Sequence, residues 1–195
     1  NTNVVTCNYA VAGSEFQPAA FADNCPGAAI TYALSGATTG TGNNLAGVVL
    51  GLGITTVTWT VTDVVGLSAT CAFTVTVVDA QAPNAICQPV TVQLDNSGNG
   101  TLTAAQVNNG SNDACGILNL HIGQAGFTCA NVGANRVVLT VTDVNNNTST
   151  CSATVTVQDL VAPNAICQPV TVQLDNSGNG SLDAAEGNKG STDAA

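Results

Sequence analysis

The stretch DNSGNGSLDAAE at residues 175–186 has the residue types and spacing of a calcium loop. Asp175, Ser177, Asn179, Ser181, Asp183 and Glu186 stand at positions 1, 3, 5, 7, 9 and 12 of a twelve-residue EF-hand frame, with Gly180 at position 6. A hard cation wants such a ring of oxygens, closed by a bidentate carboxylate. A copy at 95–106 keeps Asp95, Ser97, Asn99 and Thr101 but ends in Gln106, which offers no carboxylate. Ca2+ is therefore the one candidate cofactor. The competing reading is a plain polar turn, which Asp, Asn, Ser and Gly form without any metal. A strand-like segment leads into each loop where an EF-hand needs a helix, and this favours the turn. A second arrangement for Ca2+ uses DAQAP (79–83) and DLVAP (159–163). There Asp79 or Asp159, with Asp63 or Asp143, or with Asp23 or Asp113, could hold an ion between modules. Against it stands a short linker stiffened by proline.

Sulfur is the other chemistry on offer. The eight cysteines are separated by 18, 46, 16, 28, 14, 22 and 16 residues. Zinc sites built from Cys and His need much closer pairs, such as C-x2-C. Disulfides in an oxidising compartment are the expectation. Catalysis finds no footing. His121 is the lone histidine, and no motif gives it a nucleophile and an orienting acid. No glycine-rich phosphate loop or paired-carboxylate signature occurs, so an enzyme is not expected. Trp59 shares an alternating face with Val57 and Val61, which assigns it to a core rather than to a sugar-stacking platform. Asn109 and Asn147 head Asn-x-Ser/Thr triplets that matter only in a glycosylating host.

Twelve acids face two bases, Arg136 and Lys189, for a net charge of −10. Nucleic acid is excluded as a partner, because phosphate binding needs a basic footprint. No apolar run approaches the roughly 18 residues of a membrane span. The chain has no Met, so Asn1 is expected to be a processed terminus or the edge of a fragment. Charged residues make up 7% of the chain, and Val and Thr dominate at the expense of helix formers.

These residues must be positioned by strands. Val57, Trp59 and Val61 alternate with Thr58, Thr60 and Thr62; Cys71, Phe73, Val75 and Val77 share one face. Val137, Leu139 and Val141, then Cys151, Val155 and Val157, repeat the pattern. Period-two alternation with Thr outside predicts half-buried antiparallel strands. DVVGLS (63–68) and DVNNNT (143–148) read as the hairpin turns joining each pair, and 90–103 as a further hairpin turning at 96–100. TAAQVNN (103–109) adds one helical turn.

The chain copies itself. APNAICQPVTVQLDNSGNG stands at 82–100 and returns letter for letter at 162–180, and Asp63, Cys71 and Asp79 recur as Asp143, Cys151 and Asp159. The offset is 80 residues, longer than solenoid repeats and the size of one small sandwich. The expected fold is all-β: tandem immunoglobulin-like β-sandwich modules. They run over 1–79 (lacking its first strand), 80–159 (complete) and 160–195 (the first part of a third, cut short or donated to a neighbouring chain).

ADNCPG (22–27), GITTVTWTVTD (53–63) and ATCAFTVTV (69–77) together resemble the hyalin-repeat (HYR) domain. The second module is similar to related repeats of large surface adhesins of gliding Bacteroidetes. The resemblance implies an extracellular immunoglobulin-like module strung in arrays, with adhesive or spacer roles, at a bacterial cell surface reached by type IX secretion.

Four cysteines in the second module allow three pairings. The preferred one joins Cys87 to Cys151, first strand to last, and Cys115 to Cys129. By the same logic Cys7 pairs with Cys25. Cys71 and Cys167 are left over. Either their partners lie outside the window, or Cys167 of one chain bonds Cys71 of the next, adding a strand to an exposed sheet edge and building a head-to-tail filament. The functional expectation is a structural and adhesive repeat segment whose partners are surface polymers, glycans or identical chains. The alternative is a carbohydrate-binding accessory module.

Overall fold

The structure is a computed structural model and describes residues 7–21, 24 and 26–193. It is all-β, with 45% strand against 6% helix. Contacts divide the chain into two compact units. Unit 1 takes residues 1–82 together with 113–116 and 143–147; unit 2 takes 83–112, 117–142 and 148–195. The 80-residue period is a property of the sequence, and these units cut across it.

In unit 1 the strands are β1 (Asn8–Ala10), β2 (Ala29–Gly36), β3 (Gly40–Gly42), β4 (Val49–Gly51), β5 (Gly53–Thr62) and β6 (Ser68–Val77). A four-stranded sheet runs β3-β2-β5-β6, and β1 pairs with β4 in a second, two-stranded sheet. The alternation in β5 sends Val57 and Trp59 into a core with Tyr32, Leu34, Leu45, Leu50 and Val11. The Thr residues between them face outward, as β-branched residues do well on a pleated surface. Asp63 makes the β5–β6 hairpin turn: its Oδ1 accepts the backbone N–H of Val65 and Leu67 at 2.9 and 2.8 Å.

In unit 2 the elements are β7 (Val90–Gln93), β8 (Asn99–Thr101), α1 (Ala104–Val107), β9 (Ile117–Ile122), β10 (Gly126–Thr128), β11 (Gly133–Asp143) and β12 (Thr148–Gln158). The four-stranded sheet is β7-β12-β11-β9, and β8 pairs with β10 in a second sheet. Val92, Leu102, Phe127, Leu139, Val155 and Val157 lie in one continuous core fed by both sheets. Each fully buried side chain of this size stabilises the fold by about 1.5–3 kcal/mol.

One expected element is different. Residues 90–103 do not close a paired hairpin. β7 runs parallel to β12, Val90 opposite Val155 through Gln93 opposite Gln158, while β8 crosses to pair with β10. The Asp95 turn is therefore a corner between sheets. Gly100 permits it, because a Cβ there would lie 2.5 Å from Val92 Cγ1.

The segment after β12 repeats the local path of 83–113 and joins no sheet among the described residues. Asn164 and Thr192 bridge as Asn84 and Asn112 do, and Cys167 and Asn188 as Cys87 and Asn108 do. The short helix α2 (Ala184–Gly187) stands where α1 stands. Yet Leu174 is 67% exposed where Leu94 is 6%, and Val172 is 41% exposed where Val92 is 5%.

Candidate functional site

The residues of the calcium frame serve their own backbone. Asp95 Oδ1 accepts from the N–H of Ser97 and Asn99 at 2.8 and 3.0 Å, and Asp175 Oδ1 accepts from Ser177 and Asn179 at 2.8 and 2.9 Å. Bonds from Asn99 and Ser97 hold the Asp95 carboxyl below its ordinary value, and those from Asn179 and Ser177 do the same for Asp175. Asp183 caps α2 by accepting from Ala185, and Glu186 reaches back to the Asp183 N–H at 3.1 Å. That is a capping box. Thr101 lies in β8 and Ser181 in the exposed segment. Asp175, Asp183 and Glu186 are not brought to a common point, and the geometry around Asp95 and Asp175 is that of a polar turn.

Among the described residues, the acids and sulfurs that do gather are Asp79, Asp113 and Cys115, whose ligand atoms lie within 4.8 Å of one another. Asp79 Oδ1 accepts from Gln81, while its buried Oδ2 has no hydrogen-bond partner; Asp113 accepts from Cys115. The Cys115 sulfur is committed to a disulfide, so only two carboxylates remain as donors. Calcium takes six to eight oxygens. Asp143 is not part of this group. It is fully buried and accepts from Asn145 N, Asn147 N and Asn147 Nδ2. Burial pushes its pKa up, but these bonds outweigh that and hold it below the ordinary value. Asp159 accepts from Val161, and Asp23 lies outside the described residues.

The disulfides correct part of the expected pairing. Cys87 is bonded to Cys151, tying the segment before β7 to the first half of β12 with a Cα–Cα distance of 5.8 Å. Cys7 is bonded to Cys115, so neither Cys7–Cys25 nor Cys115–Cys129 forms. The reason lies in the 113–116 turn, which belongs to unit 1, whereas Cys129 belongs to unit 2. Cys129 sits in a short turn after β10 with its sulfur 3.6 Å from the Gly98 carbonyl. Cys25 lies outside the described residues. Cys71 and Cys167 are exposed free thiols.

Trp59 is buried in the core, packs edge-on against Tyr32 at 5.5 Å and donates its indole N–H to the Phe16 carbonyl. His121 is exposed on β9. Among the described residues β6 is the outer strand of its sheet, the edge at which strand addition through Cys71 was expected. Two separate apolar grooves lie beside it, one lined next to Cys71 by Phe16, Phe21, Trp59, Val61 and Phe73, the other by Tyr9, Phe16, Val75, Val77 and Val78. Phe16, in the left-handed region at φ 61°, leans over Phe73 at 6.0 Å. The signal in the sequence was the pair of 80-residue equivalents, Cys71 with Cys151 and Cys87 with Cys167.

A small disulfide-linked β-sandwich with alternating Val/Thr strands is an extracellular class of module. Within that class, the sequence model of the HYR domain family matches residues 27–77, the part of unit 1 that holds β2 to β6. HYR domains are extracellular and adhesion-related, and unit 1 is HYR-like. No curated protein matches the chain. No helix among the described residues is long and apolar enough to cross a membrane.

Proposed function

We propose that the chain is a structural and adhesive segment of a secreted surface protein, one stretch of a stalk that carries contacts away from a cell. The carrying observation is the HYR match over 27–77 within a unit whose strand pattern recurs 80 residues later. Catalysis has no place in this reading. Its work is mechanical: disulfides lock the units, and weakly charged Thr-rich faces meet surface polymers. The bacterial setting we favour is a gliding adhesin of the Bacteroidetes type, exported by type IX secretion.

Antibodies against residues 83–159 test this on producing cells. Intact, unpermeabilised cells stain, and soluble chain added in excess lowers their attachment to a polymer-coated surface. Staining only after permeabilisation, or attachment unaffected by the competitor, contradicts the proposal.

A further inference from the structure

Unit 2 shows how the β12 position is completed. β7 lies parallel along it, Val92 and Leu94 enter the core, and Cys87 bonds Cys151. In unit 1 the equivalent strand is β6, and among the described residues it is the outer strand of its sheet. Its Phe73, Val75 and Val77 are half-buried, where Ala153, Val155 and Val157 are buried. Cys71, the equivalent of Cys151, carries a free thiol. Unit 1 already holds an equivalent of β8: β1 pairs with β4 as β8 pairs with β10, and the Val11 N–H bonds Val48 as Leu102 bonds Ala125. Among the described residues it holds no counterpart of 83–94.

That counterpart exists at 163–174, identical in sequence and in local hydrogen bonding, with its apolar side chains in solvent and Cys167 free. We propose that residues 163–174 of one copy dock as a parallel strand on the β6 edge of a second copy. The register follows from unit 2: Val170 opposite Val75 through Gln173 opposite Val78. Val172 and Leu174 fill the groove beside Tyr9, Val75 and Val77, and Cys167 bonds Cys71. The donor leaves at its Asp175 turn, because β1 of the acceptor already occupies the next position. Since donor and acceptor surfaces differ, each copy can give and receive, and the contact propagates head to tail. Closing the bond takes two thiols to a disulfide. The two electrons and two protons pass to a disulfide oxidant; glutathione disulfide, for example, leaves as two glutathione thiols. Copies join in this way whether or not their outer faces are adhesive.

The test mixes light and isotopically heavy full-length chains and oxidises them with glutathione disulfide. Non-reducing digestion is then read by mass spectrometry beside a non-reducing gel. The expected result is a Cys71–Cys167 peptide pair carrying one light and one heavy partner, and a ladder of oligomers. The ladder is lost in C167S and in C71S. It is also lost in V172D, which alters a residue exposed in the single chain, so its unchanged circular dichroism shows that the fold is intact. Both cysteines recovered as thiols, a pair linked only within one chain, Cys71 bonded to any other cysteine, or a ladder that survives V172D overturns the proposal.

Discussion

At the scale of single residues, one device recurs. An aspartate opens a turn and its Oδ1 accepts two backbone N–H groups, at Asp63, Asp95, Asp143 and Asp175. A string of Asp, Asn, Ser and Gly reads equally as calcium ligands or as such a turn, because both need oxygens at short intervals. Only the direction of each carboxylate separates them. The sign of the pH dependence follows from Asp95 and Asp143, whose folded pKa values are lowered. Their contribution is fully present above the ordinary Asp value of about 3.9 and is lost as pH falls through the folded values. Melting followed by circular dichroism should be level from pH 7 to about 5 and fall below about 4. D143N, which keeps an oxygen acceptor but cannot titrate, should flatten that fall. A midpoint that rises on acidification contradicts this reading. Cysteine pairing was legible only in part for a similar reason: spacing ties Cys87 to Cys151 through strand order, but it does not show that the Cys115 turn joins unit 1.

At the scale of elements, β5, β6, β11 and β12 were legible because Val and Thr alternate at the period of a strand. The alternation fixes which face is buried and leaves open which strand is the neighbour. That is why 90–103 read as a hairpin, although β7 and β8 belong to different sheets. The same limit makes two identical stretches behave differently. Leu94 packs in the core of unit 2 and Leu174 meets no sheet among the described residues, so local sequence does not decide their burial. In the reduced single chain, L94A should destabilise unit 2 by about 2–5 kcal/mol, the range for truncating a buried leucine. L174A should stay within about 0.5 kcal/mol, as surface changes do. Urea unfolding of the two variants checks this, and equal losses would show that Leu174 is already packed.

At the scale of the whole molecule, the two disulfides overlap along the chain. Cys7–Cys115 and Cys87–Cys151 share the stretch between Cys87 and Cys115. A chain pulled from beyond Cys7 and Cys151 is therefore held taut by those 28 residues, although 144 separate its outer cysteines. For the proposed stalk this is the central property: unfolding does not let it lengthen freely. The measurement that tests it most directly is force extension of the chain with and without reductant. At about 3.5 Å per extended residue, the span from Cys7 to Cys151 should stop near about 100 Å when oxidised and reach about 500 Å when reduced. A gain of roughly 400 Å on reduction is the expected result; the same extension in both conditions would contradict a disulfide-locked stalk.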